Sequence, residues 1–361
     1  MPIVPLHGHD ALRARLAEAR DRGALPQSLL LHGESGVGKQ RLALWLAQSI
    51  LCEGDTRPCA SCRQCRYSLE LSHPDLIWAF PRPKLKDSDP SLDDIKFDLG
   101  QAAQDRAKAG GLYPPPPGSD GIFVATTRLL VQMASVTPAM ARRKVIVVGE
   151  ADRMAPPLEN AEAPAANAFL KLLEEPPADT NIILTSSAPG ALLPTIRSRV
   201  VAIRVAPLGE DAMRAWLEEP LVKETLDKAH LPGRIDERLR LAGGAPGRLL
   251  ASQQSSAAAN AARRLLEVAL SGDRARLLRV SLAQGSSGAR GAFTDILDAL
   301  TVELHERSRT AVESADERTA RNAARAVSVV EESKVLAAGN VSPQLITASL
   351  LRDLSRVLAP P

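Results

Sequence analysis

Apolar positions along this chain follow two rhythms. Short, nearly unbroken runs stand at Leu29-Leu30-Leu31, Leu76-Ile77, Val145-Ile146-Val147-Val148, Ile182-Ile183-Leu184 and Val201 to Val205. Each is bounded by glycine, proline or polar residues, as strands buried on both faces of a parallel sheet are. Between them the spacing becomes helical: Leu12, Leu16 and Ala19 in a segment from Asp10 to Arg22; Leu42, Trp45, Leu46 and Ile50; then Leu129, Leu130, Met133 and Ala134. A further helix, Asn167 to Glu175, is closed by Pro176-Pro177. Strands alternating with helices predict an α/β domain with a parallel sheet over residues 1–205.

Past Ala206-Pro207-Leu208 the strand runs stop. Glu210 to Leu217 and Arg234 to Leu241 predict short helices of a small lid, 206–253, and Gly243-Gly244-Ala245-Pro246-Gly247-Arg248 opens the next helix. Residues 254–361 are rich in alanine and leucine with helical periodicity. Phe293, Ile296, Leu297, Leu300 and Leu304 form one stripe, and Ser342-Pro343 starts a last helix bearing Ile346, Leu350, Leu351 and Leu354. This predicts a C-terminal helical bundle.

Within the first domain the run at Leu29 meets Gly33-Glu34-Ser35-Gly36-Val37-Gly38-Lys39-Gln40 and then a helix. Strand, glycine-rich turn and helix nearly complete G-x-x-x-x-G-K-[ST], the loop that holds a nucleotide's phosphates at a helix N-terminus. Gly33, Gly36 and Gly38 let the backbone wrap a phosphate, and Lys39 supplies positive charge. The last position departs from the motif. Gln40 stands where a Ser or Thr hydroxyl ligates Mg²⁺, and the longer amide stem misplaces its oxygen for a tight octahedral shell. The third strand run ends in Gly149-Glu150-Ala151-Asp152. By register the Mg²⁺-associated carboxylate position is Gly149, while Glu150 keeps the place of a residue that polarises water. Asp152 lies too late for either task and reads as a polar residue at a helix start.

The four cysteines of the chain stand together as Cys52-x6-Cys59-x2-Cys62-x2-Cys65. Thiols so spaced can converge on one tetrahedral zinc, leaving no open position and hence a structural role. The competing readings are unrelated thiols or a C-x-x-C redox pair. His73, in His73-Pro74-Asp75, fits a capping or packing role, since four sulfurs already fill a shell. From 81 to 121 the composition turns to Pro, Asp, Lys and Gly, including Pro114-Pro115-Pro116-Pro117; this predicts an inserted, partly mobile excursion with a short helix near Leu99 to Lys108. The basic turn Arg142-Arg143-Lys144 reads as a solvated turn or as a set of phosphate contacts. A net charge of +3 permits contact with nucleic acid without demanding it. No apolar run approaches the length that spans a bilayer, and the start is no secretory signal, so a cytoplasmic protein with reduced thiols is expected.

Taken together, the phosphate loop Gly33–Lys39, the Cys52/Cys59/Cys62/Cys65 insert, His73-Pro74-Asp75, the strand before Glu150, the helix ending Leu172-Leu173-Glu174-Glu175-Pro176-Pro177, and Ser198-Arg199 resemble the first domain of AAA+ clamp-loader subunits of bacterial DNA polymerase III. The likeness is greatest to the delta-prime branch. It covers about the first 205 residues well and the remainder loosely. Val200 stands where the family's S-R-C motif has cysteine, and the 81–121 excursion exceeds the family's usual connection.

The resemblance implies an AAA+ domain, a helical lid and a C-terminal collar through which subunits join. It implies that nucleotide sits between neighbouring subunits and that Arg199 reaches into the next subunit's site, where a planar guanidinium suits γ-phosphate oxygens. Its partners would be the gamma/tau ATPase and delta subunits, with the sliding clamp and primer–template DNA reached through the complex. ATP and Mg²⁺ on this chain would be weakly held or absent. Arg199 could instead be a surface arginine in a salt bridge, as Arg197 reads. Arg248 is either a sensor of the chain's own nucleotide or an ion pair at a helix start. With the hydroxyl and the carboxylate of one Mg²⁺ shell both missing, a non-hydrolysing subunit is expected. An active AAA+ motor using Lys39, Glu150 and Arg248, or a zinc-bearing small-metabolite kinase, are the competing functions.

Overall fold

A computed structural model describes residues 2–85, 90–114, 116, 120–154, 164–229, 231–283, 290–314, 316–338 and 342–358. It divides into two compact units, residues 1–115 with 121–251 and residues 116–120 with 252–361.

The first unit is built on five parallel strands: β1 (Ser28–His32), β2 (Leu76–Ala79), β3 (Lys144–Val148), β4 (Thr180–Ser186) and β5 (Val201–Arg204), in the order β2-β3-β4-β1-β5. Period-two alternation explains why the strand runs are apolar throughout. Leu30, Ile77, Ile146, Val148, Ile182 and Leu184 face one hydrophobic layer; Leu29, Leu31, Trp78, Val145, Val147 and Ile183 face the other. Helices α1 (Asp10–Asp21) and α2 (Lys39–Leu51) cover the second face. The first is covered by α5 (Val124–Ser135) and α6 (Pro164–Glu174), with Leu129, Leu130 and Phe169 buried against it. The short α3 (Arg63–Leu69) carries the end of the cysteine segment.

The excursion differs from its expectation. Its helix is longer, α4 (Leu92–Lys108), and starts at a capping box: Ser91 Oγ accepts from Asp94 N at 3.2 Å while the Asp94 carboxylate accepts from Ser91 N at 3.1 Å. Ile95, Leu99 and Ala102 are buried, so much of the excursion is packed structure. Its residues 86–89, 115 and 117–119, including Pro115 and Pro117, lie outside the described residues.

After α7 (Pro194–Arg197) and β5 come three short helices where two were expected: α8 (Glu210–Glu218), α9 (Pro220–Lys228) and α10 (Ile235–Ala242). Pro220 at the first turn starts the additional one. Met213, Trp216, Leu217, Val222 and Leu226 pack with Leu249 and Leu250 from the start of α11 (Pro246–Ser271). The second unit holds the rest of α11 with α12 (Arg274–Leu282), α13 (Arg290–Glu313), α14 (Glu317–Ala338) and α15 (Pro343–Val357). Leu297, Leu300, Leu304, Leu350, Leu351 and Leu354 form its core.

Candidate functional site

The phosphate-loop segment leaves the end of β1 and passes directly into α2. Gly33 has φ 154°, and a Cβ there would lie 2.3 Å from the Val205 carbonyl oxygen, so only glycine fits. Gly36 (φ 82°) meets the start of α11 backbone to backbone: Gly247 N donates to Gly36 O at 2.9 Å, and a Cβ on Gly247 would approach Gly36 Cα to 2.6 Å. Gly38 caps α2. Lys39 is buried, and its ammonium donates to Gly33 O (2.9 Å), Glu34 O (2.6 Å) and Ser187 Oγ (2.9 Å). Burial brings its pKa down to about 8, against the opposing pull of Glu150, Asp152 and Glu34.

These groups border a cleft of about 200 Å³, small beside the ~300–1,000 Å³ of ordinary ligand clefts. Its lining combines apolar Val4, Leu6, Leu208 and Trp216 with Gly36, Gly38, Lys39, Glu150 and Arg248. His9 Nε2 lies 3.0 Å from Val37 O and ties the N-terminal segment to the loop. Arg248 pairs with Glu34 of the loop at 3.0 Å. Thus five of the six nucleotide-site and water-site residues read from the sequence line one cleft, with Gly33 at its root.

Beside Lys39, the Gln40 side chain is held in place by the protein itself. Gln40 Oε1 accepts from Trp78 Nε1 at 3.1 Å and from the Tyr113 hydroxyl at 3.4 Å. A Cβ built on Gly149 would lie 2.3 Å from the same Gln40 oxygen. The two departures from the motif are therefore coupled: the glutamine occupies the volume that any side chain at 149 would enter. Tyr113 comes from the excursion, as does Arg106, whose guanidinium lies 4.8, 3.4 and 3.8 Å from the Trp78, Phe80 and Tyr113 ring centroids. Glu150 sits next door with φ 50° and pairs with Arg153 at 2.9 Å; burial raises its pKa, the first opposing influence being Arg153. Asp152 lies in a short 3-10 turn, Ala151–Met154.

The cysteine cluster has the opposite character. All four sulfurs of Cys52, Cys59, Cys62 and Cys65 lie within 4.8 Å of one another, with Cys52–Cys62 at 3.9 Å and Cys59–Cys65 at 4.0 Å. A tetrahedral zinc with ~2.3 Å bonds sets its sulfurs about 3.8 Å apart, so this set fits such an ion, while a disulfide needs about 2.05 Å. Backbone N–H groups of Gly54, Cys59, Cys62 and Cys65 point at cluster sulfurs at 3.3–3.4 Å. Hydrogen bonding, led by the Ser61 side chain, takes the Cys59 thiol down to about 5, whereas burial pushes Cys52 and Cys65 up. His73 is no ligand: its Nε2 is 2.7 Å from Gln64 Oε1 and its Nδ1 accepts from Asp75 N at 3.0 Å. Gln64, which the sequence did not single out, also donates to Glu53 and to Met140 O, fastening α3 to the turn before β3.

That turn corrects the basic-patch expectation. Lys144 is buried at the first position of β3, its ammonium donating to Met133 O and Val136 O, and burial lowers its pKa. Arg143 donates to Asn181 Oδ1 (2.9 Å) and Ala178 O (3.0 Å). Two of the three cations close the turn, and Arg142 is the one left exposed. Arg199 does not line the cleft. It follows α7 at the surface, where Nη2 meets Glu174 Oε1 at 2.6 Å and Nη1 donates to Thr195 O at 2.8 Å.

A glycine-rich loop at the end of an interior parallel strand, passing straight into a helix and lying between helical layers, defines an α/β domain with the strand–loop–helix geometry of a phosphate loop. Residues 8–209 match the family described as DNA polymerase III, delta subunit, and the chain belongs to it. A delta-prime subunit of DNA polymerase III from Pseudomonas aeruginosa is 30% identical over 220 residues, 60% of this chain and 52% of that protein. The Bacillus subtilis delta-prime subunit is 28% identical over 226 residues, 61% of this chain and 55% of that one. The gamma/tau subunit of Mycobacterium tuberculosis is 30% identical over 243 residues, 66% and 34%. The matches to the two delta-prime subunits thus span about half of their length. A solved gamma-subunit-related protein from Thermotoga maritima aligns over 96% of this chain and 98% of its own, at 17% identity and a TM-score of 0.45. Among the described residues no helix is long and apolar enough to cross a membrane.

Proposed function

We propose that this chain is a non-hydrolysing subunit of the DNA polymerase III clamp loader. It supplies Arg199 in trans to the nucleotide of a neighbouring gamma/tau-type ATPase and so takes part in placing the sliding clamp on primer–template DNA. Residues 206–253 act as the lid and 254–361 as the collar that joins the subunits. The observation that carries the catalytic half of this reading is the Gln40 oxygen standing where a side chain at Gly149 would be. Mg²⁺ bridges β- and γ-phosphate oxygens and offsets charge in phosphoryl transfer, and here its hydroxyl and carboxylate positions are replaced together. Lys39, whose ammonium is held by the loop's own carbonyls and Ser187, and Arg248, paired with Glu34, keep the loop in shape without fuel. Names of the delta-prime and gamma/tau relatives support the assembly.

Zinc is the ion proposed for the cysteine cluster. Four thiolates close its shell, so it braces the 52–65 segment and takes no part in chemistry. One assay tests the whole reading: ATP turnover by the isolated chain, and by gamma/tau-type subunits with DNA in its presence and absence. The isolated chain should be silent, and it should raise its partners' turnover. Arg199→Ala should remove that stimulation, by about 10³-fold or more in rate at the site served, with assembly intact. Turnover by the isolated chain that Lys39→Ala abolishes would favour the motor reading instead.

A further inference from the structure

Glu174 and Arg199 are 25 residues apart in sequence, and their ion pair is short, 2.6 Å between Nη2 and Oε1. The partners are 33% and 47% exposed, and pairs so open to water add little to stability. What the pair does change is the freedom of the arginine. Nη1 is fixed on Thr195 O at 2.8 Å and on Ser198 Oγ at 3.3 Å, while Nη2 is fixed on Glu174. Among the described residues Nε has no partner. The guanidinium is thus held in one orientation with part of its fork open to solvent.

The support beneath it is rigid. Glu174 is the last residue of α6, whose Leu172 and Leu173 are buried in the same core as Ile196 of α7, and Ile196 is fully buried. Thr195 and Ser198 flank Ile196 on the turn that carries Arg199. A carboxylate on one packed helix and a carbonyl on the next therefore fix a long, flexible side chain from two sides. Glu175, one residue further, is exposed and has no ion pair among the described residues, so negative charge in this neighbourhood is not enough to make the contact.

From this we infer that Glu174 is the positioning residue for Arg199. It sets the guanidinium, before any neighbour arrives, in the orientation that presents its open donors to an incoming phosphate. The inference rests on the trans role proposed above for Arg199. Prior orientation acts on the rate of the step, because it places the donors where charge develops in the transition state, and its loss is read in kcat.

The experiment compares the full-length chain and its variants, assembled with gamma/tau-type subunits and primer–template DNA, as stimulators of steady-state ATP turnover. Glu174→Ala is expected to lower kcat about tenfold with KM for ATP and assembly unchanged. Glu174→Gln, which keeps an acceptor oxygen in place, should stay within about twofold of wild type, and Glu175→Ala should be indistinguishable from it. Arg199→Ala, run alongside, reports on the underlying reading. If it abolishes stimulation while Glu174→Ala leaves kcat unchanged or raises it, the positioning role is wrong and the arginine's trans role stands. An effect of Glu174→Ala confined to KM or to assembly also overturns positioning. If Arg199→Ala stimulates like wild type, the trans role itself falls.

Discussion

The cysteine cluster and the Gln40–Gly149 corner are both places where side chains from separate segments converge, and they differ in what each convergence leaves at its centre. In the cluster, four sulfurs lie within 4.8 Å of one another, and backbone N–H groups aim at them. In the corner, the amide oxygen of Gln40 has taken the centre for itself and is held there by Trp78 and Tyr113. Four soft donors brought this close, with backbone N–H groups aimed at them, could hold a metal ion. A neutral amide beside an indole N–H and a phenol is already complete. Donor chemistry, more than the presence of a motif, separates a set of side chains that could take a metal from one whose polar groups already satisfy each other.

The strongest challenge to this contrast removes one sulfur. Cys65→Ser should take bound zinc from one equivalent per chain to near zero by atomic absorption. It should also lower the melting temperature by about 10 °C, as expected for a few kcal/mol in a domain of this size; a variant that keeps both its metal and its stability would break the comparison. Next in size is Gly149→Ala. Its Cβ would meet the Gln40 oxygen and turn that amide away from Trp78 and Tyr113, and loss of these bonds costs about 1–3 kcal/mol in denaturant unfolding. Gln40→Ala leaves the Trp78 N–H without its acceptor and should cost a similar amount. If the two positions share one volume, the double variant will be more stable than the sum of the singles predicts, by about 1 kcal/mol or more. Strict additivity would mean that they are independent losses.

The last test concerns Lys39. Its folded pKa, about 8, lies below its ordinary 10.5. Between those values the unfolded chain holds a proton that the folded chain has released, so this group's contribution to stability grows as pH rises through the window and is absent below about pH 8. The melting temperature of wild type relative to Lys39→Met should therefore rise from pH 7.5 to 10, the sign of the change being the readout. A flat or falling difference would show that the loop's carbonyls and Ser187 hold the ammonium without any penalty from burial.

How much of this was legible depends on how local each cause is. The strands could be read because burial on both faces leaves unbroken apolar runs, and the loop because Gly33, Gly36, Gly38 and Lys39 are neighbours in sequence. The cysteines converge because thirteen positions of chain suffice to fold them together. The start of α4 was also in plain view, as Ser91-Leu92-Asp93-Asp94, but the surrounding prolines and charges masked the capping box. Tyr113 could not be found that way. It meets Gln40 across 73 residues, from an excursion whose composition gives no hint of packing. Lys144 misled for a related reason, since a lysine among arginines looks solvated until the carbonyls at Met133 and Val136 are seen to surround it.

The contact of Gly36 with Gly247 gives the loop a fastening. Two residues without side chains touch there, one in the turn and one at the threshold of a long helix, and an amide hydrogen spans the seam. The turn is thus tied to a segment far away in sequence by main chain alone, with no side chain whose loss could loosen it.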